Sequence, residues 1–172
     1  AAGLLGPGVL QRPVRELARW AAAALGDPMQ PLAAGLVLGA VAADRPVLLA
    51  GGSQMAAVLA LALALAPAAE RAPLAALAAV ATTGWVAREP HSNLSQLLRR
   101  IGDRWSVQPL AFAAGLHFRR AGQPALLDYE RGYVKEGVGA GGLALLWQIS
   151  GRCPSALAAA CDQACSALVG AP

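Results

Sequence analysis

A chain of 172 residues is long enough for one domain with a buried core, and 56% hydrophobic against 14% charged residues excludes a disordered segment. The net charge is only +4 and no basic run is interleaved with aromatics, which argues against a nucleic-acid partner. Pro46 to Ala69 carries no charge, but Gly51-Gly52-Ser53-Gln54 interrupts it and Pro67 closes it, so a soluble chain without membrane contact is expected.

Proline and glycine punctuate the rest. Arg12–Leu25 reads as an amphipathic helix with Arg12, Arg15 and Arg19 on one solvated face, closed by Gly26-Asp27-Pro28. Leu32–Ala43 reads as a second, more apolar helix that offers an interface to a second copy. Val47–Ala50 is a short buried strand, followed by a turn and the helix Gln54–Ala66. Leu77–Thr82 is a second strand, leading to a loop over Thr83–His91. Ser92 caps a helix running to about Arg100. Pro109–Ala114 is a third strand, and Pro124 opens a short helix through Tyr129. A glycine-rich loop, the helix Leu143–Ile149 and a last helix opened by Pro154 complete the chain.

Strands alternating with helices imply βαβ units and a parallel sheet. The expected fold is therefore α/β, a Rossmann-like three-layer αβα arrangement. Three strands make it incomplete, a single α/β unit within a larger domain. Residues 1–27 form a leading helix, 28–152 the sheet and glycine loop, and 153–172 the terminal helix. Ligands of such sheets bind at the strand carboxyl ends, here the exits at Gly51–Gln54, at Thr82–His91 and after Ala114.

The richest segment is Tyr133-Val134-Lys135-Glu136-Gly137-Val138-Gly139-Ala140-Gly141-Gly142. Lys135 is the single lysine among 14 basic residues. An ionisable pair precedes glycines that open an apolar helix, where free N–H groups favour an anion. Gly137, Gly139 and Gly142 satisfy the dinucleotide fingerprint formally, but no buried strand precedes them and Asp162 lies inside a helix. Two readings stay open: a monophosphate cradle, and a glycine-rich helix start that packs tightly. Gly51-Gly52-Ser53-Gln54 follows a strand and precedes a helix, so it is either a backbone contact for a ligand or an ordinary turn. His91 and His117 read as structural, with an acid/base role open for His91, and Trp20, Trp85, Trp105 and Trp147 as core or core edge.

Cys153, Cys161 and Cys165 form no CxxC pair and have no histidine nearby, so no zinc site is expected. Their odd number points to buried or idle thiols in a reducing, cytoplasmic compartment. Alanine at position 1 points to a trimmed product or a fragment.

Asp27-Pro28-Met29-Gln30-Pro31-Leu32, then Gly39 through Asp44-Arg45-Pro46-Val47-Leu48-Leu49-Ala50-Gly51, resembles the nicotinate-nucleotide–dimethylbenzimidazole phosphoribosyltransferase family. The Pro109-Leu110 strand and Glu136-Gly137-Val138-Gly139-Ala140 resemble its closing strand and its Glu-Gly-Ser-Gly-Ala segment. The likeness is nearer to a divergent branch in which Gly-Gly-(Thr/Ser)-Gln-Met and Lys-Glu-Gly-Val-Gly-Ala-Gly-Gly occur together, and whose members are assigned by similarity. It extends over most of the chain. Family enzymes transfer the phosphoribosyl group of nicotinate mononucleotide to dimethylbenzimidazole in cobalamin assembly.

The resemblance implies Glu136 as general base, phosphate contacts from Lys135, Gly137, Gly139 and Gly141, and nucleotide-side contacts from Gly51, Gly52, Ser53 and Gln54. It implies small-molecule substrates and neither cofactor nor metal, because backbone N–H groups and a cation meet the charge. The chain departs from the family at Ala50, where the family has aspartate, and at Val138, where it has serine. Arg119–Gly132 is an addition, and the family's amino-terminal half, with its Glu-Met-Gly-Ile-Gly-Asn-Thr-Thr segment, is missing. The chain is thus expected to be the carboxyl-terminal part of a longer enzyme, inactive alone. A non-catalytic nucleotide- or cobamide-precursor-binding module on the same fold, or a transferase for another base such as adenine, are the alternatives.

Overall fold

The computed structural model describes residues 8, 11–89, 93–132 and 139–169. Three strands, β1 (Val47–Ala50), β2 (Ala78–Thr83) and β3 (Leu110–Ala114), form one parallel sheet in the order β1-β2-β3. Helices flank it, so the fold is a partial Rossmann-like αβα arrangement, as the alternation of elements implies. The central strand β2 is buried along its whole length, which suits its unbroken run of alanine, valine and threonine. Among the described residues no helix is long and apolar enough to cross a membrane.

Contacts group the chain into two compact units. The first comprises Ala1–Val47, Gln54–Ala79 and Leu97–Leu110. It holds α1 (Val14–Leu25), α2 (Met29–Ala42), most of α3 (Ser53–Leu65), a 3-10 turn at Ala68–Glu70, α4 (Arg71–Leu77) and most of α6 (Leu94–Trp105). Helix α2 starts three residues before the predicted Leu32, because the Asp27 carboxylate accepts the Met29 amide at 2.7 Å. Its Ala34 and Val37 are buried, and α2 packs on α4. Helix α3 is apolar all round and buries Val58, Leu59 and Leu63 completely, as a helix enclosed by protein should. Each such leucine contributes about 1.5–3 kcal/mol of burial. The unpredicted α4 brings Arg71, whose Nε donates to the Leu63 carbonyl at 3.0 Å, satisfying an orphan acceptor near the end of α3.

The second unit comprises Leu48–Ser53, Val80–Gln96 and Ala111–Pro172, and so contains the carboxyl ends of all three strands. Its helices are α5 (Gly84–Ala87), α7 (Pro124–Glu130), α8 (Ala140–Ile149) and α9 (Pro154–Val169). Where a loop is predicted after β2, one helical turn forms instead, because the Thr83 hydroxyl accepts the Val86 amide at 3.3 Å. The predicted cap at Ser92 lies outside the described residues. Asn93 does the capping seen here, accepting the Gln96 amide at 3.2 Å, and α6 runs on to Trp105 rather than Arg100.

A core of Ala114, Leu116, Phe118 and Ala144 fills this unit, with Trp85, Leu126, Tyr129 and Leu157 packed against it. Trp85 stacks on Phe118 with ring centroids 5.3 Å apart. The four tryptophans are all half-buried, in keeping with core-edge positions. Cys161 belongs to the same apolar cluster, where burial pushes its thiol up, whereas Cys153 is exposed.

Candidate functional site

At the end of β1 the glycine turn continues the ladder by one bond: the Gly51 amide donates to the Ala81 carbonyl at 2.9 Å. Gly51 is buried, Gly52 half-buried, and Ser53 exposed at the first position of α3. The start of α8 lies beside this turn. A side-chain carbon added to Gly139 would stand 3.6 Å from the Ala50 carbonyl oxygen, and one added to Gly142 would fall on the Ala50 side chain. Small residues on both elements thus bring a helix amino end up to a strand carboxyl end.

Gly141 and Gly142 are helical here, and the predicted loop ends at Gly139. Both are buried, and a carbon on Gly141 would lie 2.7 Å from the Thr82 Cα and 2.5 Å from the Thr83 amide nitrogen. Close packing therefore accounts for these two glycines. Gly139 is exposed at the helix cap, and among the described residues only the Ala50 oxygen comes within 4 Å of a carbon added there.

Gly51, Gly52, Ser53, Gly139 and Gly141 all fall in the second unit. Gln54 falls in the first, where its amide nitrogen donates to the Asp27 carboxylate at 3.3 Å. Lys135, Glu136 and Gly137 lie outside the described residues, as do His91 and Val138.

The exit of β3 carries side chains that sequence reasoning missed. Gln148 on α8 accepts the Gly115 amide at 2.8 Å, and Glu130 on α7 accepts the Phe118 amide at 2.6 Å. Asp162 on α9 accepts the amides of Gly122 and Gln123 at 2.8 and 3.0 Å. The residues after β3 are thereby held at three places by side chains distant in the chain. His117 Nδ1 stands 3.5 Å from one Glu130 oxygen, and Arg119 Nε 3.6 Å from the other. The segment Arg119–Gly132 thus supplies α7 and Glu130.

Burial works against the Glu130 charge, but the Phe118 amide, the Trp85 ring N–H, His117 and Arg119 outweigh it. The carboxyl is held below its ordinary value of 4.5. A carboxylate depressed in the fold adds stability that is present above that ordinary value and is lost as pH falls through the folded one. Glu130→Gln is expected to cost about 2 kcal/mol at neutral pH, the size of a charge-assisted hydrogen bond. Denaturant unfolding should show this gap closing on acidification below about pH 4. A gap independent of pH would remove the charge from the explanation.

An open parallel sheet with glycine-edged strand exits and a helix amino end beside them defines the class: a partial Rossmann-like α/β protein with its candidate site at the strand carboxyl ends. No family model matches the chain. Its close relatives are named UPF0284 proteins and come from cyanobacteria. It is 49% identical over 154 residues to the UPF0284 protein of Prochlorococcus marinus strain MIT 9313, covering 86% of this chain and 38% of the relative. Identity to the UPF0284 protein of Parasynechococcus marenigrum strain WH8102 is 47% over 152 residues, with the same coverage. With that of Gloeobacter violaceus it is 51% over 142 residues, or 81% of this chain and 36% of the relative. The chain therefore spans under two fifths of the length of these relatives.

Proposed function

We propose that this chain is the general-base-bearing part of a phosphoribosyltransferase that acts on nicotinate mononucleotide and dimethylbenzimidazole, or a related base, in cobamide assembly. The supporting observation is the approach of Gly139 at the start of α8 to the Ala50 carbonyl at the end of β1, which brings a helix amino end beside the strand exit that leads into Gly51–Ser53. Such a pairing suits a nucleotide phosphate. Lys135 and Glu136 immediately precede it in the chain. In the reaction, Glu136 takes the imidazole N–H proton while the other ring nitrogen attacks the ribose anomeric carbon. The bond to the pyridinium nitrogen breaks, and its electron pair leaves with nicotinate. The setting is cytoplasmic and both substrates are small molecules.

A second reading, a binding module without turnover, draws on Ala50. It stands where the resembled family has aspartate, and its methyl group packs against Gly142.

Gly139→Leu tests the phosphate assignment. Among the described residues the first added carbon meets nothing nearer than the Ala50 oxygen at 3.6 Å, and the unfolding temperature is measured beside affinity to separate a lost contact from a lost fold. In the full polypeptide carrying this chain, calorimetry should show the Kd for nicotinate mononucleotide rising about tenfold or more. An unchanged Kd would remove Gly139 from the phosphate site.

A further inference from the structure

Beyond β3 the chain alternates inward and outward. Leu116 and Phe118 are buried in the core, while His117 is half-buried and Arg119 exposed. The amide of Phe118 is tied to Glu130, and those of Gly122 and Gln123 to Asp162. The Gln123 side chain also donates to Ser166 Oγ at 2.8 Å. The segment from 118 to 123 is therefore fixed at both ends, as one wall of a cavity of about 550 Å³. The opposite wall is α9, through Ala158, Ala159 and Asp162. All of this lies in the second unit.

The lining is rich in donors and poor in free acceptors. Both oxygens of Asp162 are taken by backbone amides, and Glu130 is shared among Phe118, His117 and Arg119. Arg120 makes no ion pair among the described residues and lines the cavity with His117 and Arg119. A guanidinium offers two parallel N–H groups that match a carboxylate. His117 Nδ1 is buried without a hydrogen-bond partner among the described residues, with Glu130 in ion-pair reach only. The remaining surface is largely apolar, formed by small side chains such as Ala121, Ala158 and Ala159 that let a flat body lie close. The volume exceeds that of a bare anion and falls within the range of small-molecule sites.

We propose that the cavity between the segment following β3 and helix α9 binds a small organic carboxylate with a compact apolar body, the carboxylate on Arg120 and the body against Ala158 and Ala159. This site is separate in its residues from the glycine-edged strand exits, and it stands whether or not the phosphoribosyl reading holds.

Benzoate is the probe, titrated by calorimetry into the full polypeptide carrying this chain. Saturable one-to-one binding is expected, with Arg120→Ala weakening it about tenfold, the effect of losing one charge-assisted pair. Ala159→Leu fills the floor and should abolish binding. Both residues are exposed, so unfolding temperatures should stay at the wild-type value. Inorganic phosphate, which has charge without the body, and benzamide, which has the body without charge, should each bind at least tenfold more weakly. The proposal is overturned by absence of saturable benzoate binding, by binding indifferent to both substitutions, or by phosphate or benzamide binding as well as benzoate.

Discussion

Gly141→Ala should lower folding stability by about 3 kcal/mol, the upper part of the usual range for overpacking. The new methyl group would be driven into the backbone of β2 at Thr82 and Thr83, which has no flexible end to swing aside. Relief requires α8 to move away from the sheet, and that loosens the packing of Ala144 and Leu145 as well. The helix itself gains from the exchange by about 1 kcal/mol of propensity, so the close approach costs more than the net loss shows. Gly35 and Gly39 on α2 are the control. Both are exposed and helical, with nothing among the described residues within 4 Å of an added carbon. Alanine at either should stabilise by about 0.5–1 kcal/mol. Denaturant unfolding with unchanged m-values would establish the contrast. Equal effects at Gly141 and Gly35 would mean that α8 does not need its glycines for contact with β2.

Glu136→Gln carries the larger functional consequence. Glutamine keeps the shape and much of the hydrogen bonding of glutamate but cannot accept the imidazole proton. Removing a general base typically costs 10²–10⁴-fold in rate. The full polypeptide carrying this chain should therefore lose at least about 100-fold in kcat while its Kd for nicotinate mononucleotide stays within a few-fold of the wild-type value. Equal losses in kcat and in affinity would make Glu136 a binding residue. An unchanged kcat would place the base elsewhere.

The strands were the most legible elements. Val47–Ala50 has its expected bounds, β2 lies one residue later than expected at both ends and β3 starts one residue later, because short apolar runs next to proline or glycine have few alternatives, even in β3, whose Ala111, Phe112 and Ala113 are exposed. Helices were legible where an apolar stripe or a proline marked them, as at Pro124 and Pro154. Local chemistry defeated the reading in two places. The Thr83 hydroxyl makes a helical turn out of an expected loop, and α4 forms despite Pro73 because that proline sits in its first turn. Gly141 and Gly142 read as loop because glycine is a poor helix former. Packing against Ala50 and Thr82 reverses that preference, a tertiary effect invisible in local propensity.

At the candidate site, the glycine turn after β1 and the glycine start of α8 were both marked by sequence, since glycine at a strand exit or helix start is a local signal. Glu130, Gln148 and Asp162 were not. Each acts on a backbone amide between 12 and 40 residues away, and no spacing rule links them to their partners. Asp162 alone gave a hint, as an acidic residue within an otherwise weakly polar helix.

The central claim is phosphoribosyl transfer, and product formation tests it most directly. Nicotinate mononucleotide is mixed with the full polypeptide carrying this chain, with dimethylbenzimidazole, with adenine or with no base, and nicotinate is followed by chromatography. The account predicts release that depends on an added base and is matched by an equal amount of ribosylated base. Nucleotide bound without any release in the presence of either base would contradict transfer and leave a binding protein.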